Sequence, residues 1–94
     1  MERENDENVA IRKRRARFRA WHRGMQEADL ILGRFADASL PTMNTTDLDD
    51  FEALLEVLDQ DILDWIMGRT DVPENMKTPV LSALLAFDWE GAAP

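Results

Sequence analysis

Residues 45–62 run TTDLDDFEALLEVLDQDI. Apolar side chains fall at Leu48, Phe51, Leu55, Leu58 and Ile62, stepping by 3, 4, 3 and 4. That spacing holds them on one stripe of a 3.6-residue helix and is the strongest amphipathic signal in the chain. Thr45 or Thr46 suits the N-cap, and Asp47, Asp49 and Asp50 follow where the positive end of a helix dipole favours anions. Asp59 is the expected cap of a short fourth helix that carries Ile62, Trp65 and Ile66 and closes at Gly68.

The same period extends in both directions. Upstream, a helix is expected from about Val9 to Arg23, with Ile11, Phe18 and Met25 recurring every seven residues and Trp21 beside them. Gly24 supplies a tight turn into a second helix, about Met25 to Ala38, with Met25, Ala28, Leu32, Phe35 and Ala36 on one stripe. Ser39-Leu40-Pro41 breaks that pattern, because proline disfavours helix at the residue before it. Downstream, residues 69–78 form a loop. Thr78 as N-cap and Pro79 at the first helical position then start a last helix lined by Val80, Leu84 and Phe87, with Leu81 and Leu85 alongside. No alternating strand pattern of useful length occurs. The expected fold is all-α: a compact antiparallel bundle of five short helices. Residues 9–90 make a single domain between a flexible acidic start (1–8) and a disordered tail (91–94).

Composition narrows the function. Ninety-four residues suffice for one domain with a modest core. Cysteine is absent, which excludes disulfides, thiolate metal sites and cysteine nucleophiles. Tyrosine is also absent and His22 is the one imidazole, so little catalytic equipment remains. The net charge of −8 is unevenly spread. Residues 1–23 carry +4 and residues 24–94 carry −12, with seven bases and no acid between Arg12 and Arg23. A basic segment on an acidic body suggests nucleic-acid contact, docking to an acidic protein, or neutralisation against its own domain. The acidic body weighs against the first. Glu2, Glu4, Asp6 and Glu7 argue against a mitochondrial presequence, and a complete cytoplasmic protein is expected.

Few constellations carry chemistry. Counting an EF-hand from Asp47 places Glu52 and Leu58 where glycine and glutamate are required, so calcium is not expected. His22 lacks a neighbouring nucleophile to activate. The arginines from Arg12 to Arg19 form a nucleic-acid surface, the solvated face of an amphipathic helix, or a charged face that docks a protein partner, which is preferred to nucleic acid. Arg23-Gly24-Met25-Gln26-Glu27 sets a cation and an anion beside a backbone without a Cβ, at a helix-to-helix turn. On physical grounds alone, an ordinary hairpin turn is the preferred account of this stretch.

The stretch resembles the Arg-Gly-x-x-Glu motif of the SdhE family of flavinylation factors, small succinate dehydrogenase assembly factors. The likeness continues through Ala28-Asp29-Leu30-Ile31-Leu32-Gly33-Arg34-Phe35, Leu54-Leu55-Glu56 and Asp61-Ile62-Leu63-Asp64-Trp65-Ile66-Met67, over roughly residues 9–88. It implies a five-helix fold and a chaperone-like role, promoting covalent attachment of FAD to the flavoprotein subunit of succinate dehydrogenase, with fumarate reductase flavoproteins as related clients. The bond would join a client histidine to the 8α carbon of the client's flavin, so the helper needs no catalytic residue and holds no cofactor stably by itself. Partner-binding residues under this reading are Arg23, Gly24, Met25 and Glu27, with His22 and Arg19 beside them. Arg23 and Glu27 would pair with polar groups of the client. A monomer is expected, with a dimer left open by the apolar stripes. An antitoxin-like or nucleic-acid-binding regulator working through Arg12–Arg19 is the alternative.

Overall fold

Leu48, Phe51 and Leu54 are fully buried in the computed structural model, which describes residues 6–90. They lie on α3 (Thr45–Leu54), whose N-cap is Asn44 rather than either threonine. The Asn44 side chain accepts from the Asp47 N–H at 2.8 Å. Four more helices complete the described residues: α1 (Asp6–Trp21), α2 (Gln26–Ser39), α4 (Asp59–Ile66) and α5 (Pro79–Ala86). Short 3-10 turns lie at Leu40–Thr42 and Glu74–Met76. No strand occurs among the described residues, so the fold is all-α. None of these helices is long and apolar enough to cross a membrane.

Three rings join α2, α3 and the end of α5 in the core. Phe35 of α2 meets Phe51 of α3 at 5.9 Å between centroids, and meets Phe87, just past α5, edge-on at 5.5 Å. Ile31, Leu32, Ile62, Leu81 and Leu84 fill in around them. As expected, Thr78 caps α5, accepting from the Leu81 N–H at 3.1 Å. Gly68 ends α4 with φ of +72°, a conformation that costs other residues Cβ strain.

Three expectations are corrected. The stripe Leu48–Ile62 is not one continuous line: α3 stops at Leu54, a turn intervenes, and Leu58 stands 72% exposed. Leu58, not Asp59, holds the N-cap position of α4, and Asp59 is its first residue. On α1 the buried residues are Ala16 and Ala20, whereas Phe18 is 62% exposed. Phe18 lies two residues, about 200°, from either alanine and so points away from the body. Small side chains let α1 approach α2 closely, which a stripe of large residues would have prevented. The flexible start expected for residues 1–8 lies outside the described residues up to position 5, and 6–8 belong to α1. The tail over 91–94 also lies outside them.

Candidate functional site

The α1–α2 turn is built around Gly24, whose φ of +102° suits a residue without a Cβ. A Cβ placed there would meet nothing within 4 Å, so the backbone at this corner is open to approach from outside. The turn is fixed from both sides. Asp29, one turn into α2, accepts from the Arg23 backbone N–H at 2.5 Å. From the other side, Arg23 reaches across to the α3–α4 turn. Its Nε donates to Asp59 Oδ1 at 2.7 Å, Nη1 to the Leu55 carbonyl at 2.5 Å and Nη2 to the Val57 carbonyl at 2.6 Å. Arg23 and Asp59 side chains are only 10% and 13% exposed.

The Arg23 guanidinium is engaged within the chain. It is not held out as a free cation. A planar five-donor fork matches two carbonyls and a carboxylate, and here it clasps two turns together. Arg19, one helical turn earlier, grips the same segment, donating to Glu56 Oε2 at 2.5 Å and approaching the Leu55 carbonyl at 3.5 Å. Arg12 continues the row, bound to Glu52 at 2.8 and 3.1 Å and to Asp49 at 2.6 Å. Three arginines of the basic run are thus matched to acids on α3, in the turn after it and at the start of α4. Neutralisation against its own domain accounts for that side of the run.

What the corner exposes is mostly uncharged. Gly24, Met25 and Glu27 are exposed, and so is His22. The His22 ring stacks on Phe18, with centroids 4.0 Å apart and planes 20° from parallel. Its Nδ1 lies 2.7 Å from the Phe18 carbonyl oxygen. A carbonyl only accepts, so Nδ1 is the protonated nitrogen in that bond. Among the described residues five large hydrophobics are exposed: Phe18, Met25, Leu58, Met67 and Leu85. Phe18 and Met25 flank the corner, and Leu58 sits in the turn that Arg23 clasps. Exposed apolar groups gathered in one place mark contact surfaces more than singly scattered ones do.

Sequence reasoning placed Phe18 and Leu58 in the core, and so left both out of the site. It also left out Asp29 and Asp59 as partners of Arg23. Helical phase against Ala16 and Ala20 was the signal for Phe18; no local signal marks Leu58, because its exposure depends on where α3 ends.

A family model described as "Flavinator of succinate dehydrogenase" matches residues 14–88. The chain belongs to this family. It is 41% identical over 80 residues to the FAD assembly factor SdhE of Acetobacter pasteurianus, covering 85% of this chain and 73% of that one. It is 38% identical over 79 residues to the mitochondrial succinate dehydrogenase assembly factor 2 of Dictyostelium discoideum, covering 82% of this chain. A shorter match, 43% over 53 residues, joins 54% of this chain to 63% of the FAD assembly factor SdhE of Pseudomonas putida. The chain spans 56% of the Dictyostelium protein and 44% of a Komagataella phaffii relative of the same name, about half of each. All of these relatives are named as assembly factors rather than as catalysts of a reaction.

Proposed function

We propose that this protein is an assembly factor that binds the flavoprotein subunit of succinate dehydrogenase and promotes covalent attachment of that subunit's FAD. The observation that carries this reading is the corner itself: bare backbone at Gly24, bordered by exposed Phe18, His22, Met25 and Glu27 and by Leu58 across the clasped turn. Such a corner fits closely against another polypeptide. The flavin and the side chain it joins both belong to the client, so the helper contributes geometry. Holding two reacting groups in a near-attack arrangement lowers a barrier by several kcal/mol without a catalytic residue.

The roles divide. Arg23, Arg19, Asp29 and Asp59 position the corner from beneath. Gly24, Met25, His22 and Glu27 meet the client, with Phe18 and Leu58 added as apolar contacts. Fumarate reductase flavoproteins are related clients. The likeness to bacterial factors supports action in the cytoplasm.

The test separates backbone strain from bulk. Gly24→Ala and Gly24→Arg incur the same positive-φ penalty, on the order of 1 kcal/mol, which a folded domain survives. Only arginine adds bulk at the contact. Covalent flavin, measured by fluorescence of the denatured client subunit, should fall at least about tenfold with Gly24→Arg, equivalent to about 1.4 kcal/mol, and less with Gly24→Ala. Normal loading with a folded Gly24→Arg protein rules out this surface.

A further inference from the structure

At the other end of the α1–α2 pair, roughly 15 Å along α1 from Gly24, lies an open cleft of about 350 Å³. Its walls are nearly all carbon, from Ala10, Ala36, Leu40 and Pro41. Its mouth carries three cations, Lys13, Arg14 and Arg17, and one acid, Asp37, so it is cationic on balance. Arg17 is paired with Asp37, which also accepts from Trp21 Nε1 at 3.4 Å. Lys13 donates to the Pro41 carbonyl at 3.3 Å, a contact that leaves its charge uncompensated. Arg14 is exposed and makes no ion pair among the described residues, and neither does its neighbour Arg15. The basic run therefore divides. Arg12, Arg19 and Arg23 are matched to acids of the same chain, whereas Lys13, Arg14 and Arg15 carry positive charge that no described carboxylate answers. On a chain of net charge −8 this is the feature least explained by folding.

We propose that this cleft is a second docking site, taking an acidic peptide segment of a protein partner that carries one bulky apolar side chain. The apolar side chain enters between Ala10, Ala36 and Leu40, and flanking carboxylates meet Lys13 and Arg14. Both halves of the chemistry are needed. Charge alone would serve a polyphosphate, but the apolar walls have nothing to offer one. A small molecule is disfavoured because the cleft is open along one side, and ligand pockets enclose most of their occupant. The site is independent of the flavoprotein reading and stands or falls separately from it.

The probe is a short fluorescein-labelled peptide with a central Leu-Phe pair flanked by aspartates and glutamates, titrated into the full chain by fluorescence anisotropy. Two control peptides replace the acids by their amides, or Leu-Phe by Ala-Ala. Each control should bind about tenfold more weakly than the probe, and Arg14→Glu should weaken the probe by a similar factor. Ala10→Phe, from an exposed position of α1, fills the cleft and should abolish binding. Both variants change exposed residues, and circular dichroism checks that they remain folded. The proposal is overturned if the probe fails to bind, if the three peptides bind alike, or if either folded variant binds as the unmodified protein does. Displacement of the probe by single-stranded DNA that Ala10→Phe still binds overturns it in favour of a nucleic-acid surface.

Discussion

The glycine corner and the α1–α2 crossing lie on the same pair of helices and are held by opposite means. At the corner, a Cβ on Gly24 would meet nothing within 4 Å, and order comes from hydrogen bonds made behind it by Arg23, Asp29 and Asp59. At the crossing, Gly33 has an ordinary helical conformation, yet a Cβ there would overlap three ring carbons of Trp21. Ala16 and Ala20 add to the close approach. One glycine is needed for its backbone and the other for its lack of volume. A directional, polar support leaves the outer surface of the corner bare, which packing by large side chains would not. That is the arrangement expected where another molecule must come close.

The largest expected effect breaks the corner. Arg23→Ala removes a nearly buried cation, leaves Asp59 and the Val57 carbonyl without the donor it supplied, and leaves the Leu55 carbonyl only the long contact from Arg19. Removing one partner of a buried pair leaves the other uncompensated, so the loss should be about 3 kcal/mol. For a domain of this size that is roughly 15 °C in Tm, read by thermal unfolding. Arg23→Lys should recover little, because an ammonium cannot span three acceptors set out for a planar fork. A loss of flavin loading at unchanged Tm would instead put Arg23 on the contact surface.

Legibility in the sequence followed the range of the interactions. α2 and α5 were recovered within a residue or so, because capping and apolar period act within one or two turns. Thr78-Pro79 is local chemistry and held, with Thr78 accepting from the Leu81 N–H. Where two local candidates compete, the choice was missed: Asn44, not Thr45 or Thr46, caps α3. The apolar stripe through Leu58 failed because a period does not reveal a break between α3 and α4 that preserves it by coincidence. The family was legible, but the direction of Arg23 was not. Its partners lie 32 to 36 residues away, a relation fixed only by tertiary structure. The basic run likewise offered three readings until α3 was seen to lie against Arg12 and Arg19.

An intermediate effect tests the crossing. Gly33→Ala forces Trp21 off α2, and overpacking of this kind costs about 1–3 kcal/mol. Alanine is also the better helix former by about 1 kcal/mol, which offsets part of the loss. The net should be a destabilisation of about 1 kcal/mol in urea unfolding, with a red shift in tryptophan emission as Trp21 moves towards water. A Gly33→Ala protein more stable than the original would mean that Trp21 swings aside freely and that the crossing does not depend on close approach.

The smallest effect sharpens the contrast between a buried and an exposed charge pair. Asp64 lies near the end of α4, where Arg69 Nε donates to it at 2.9 Å and Gln60 at 3.0 Å. These two hydrogen bonds, that from Arg69 foremost, hold its carboxyl below the ordinary value of 3.8. A lowered folded-state pKa means that the unfolded chain binds the proton more readily. The contribution is therefore fully present above the ordinary value and is lost as pH falls through the folded one. Asp64→Asn should cost a small amount of stability near neutrality, and the two unfolding curves should converge in acid below about pH 3.8. With Arg69 more than half exposed, added salt should narrow the gap at neutral pH as well. Arg23 and Asp59 make the same kind of bond at 2.7 Å but away from solvent, so the loss on Arg23→Ala should respond far less to salt. If the two pairs prove equally sensitive to salt, burial does not distinguish them, and the corner is held no more firmly than the surface.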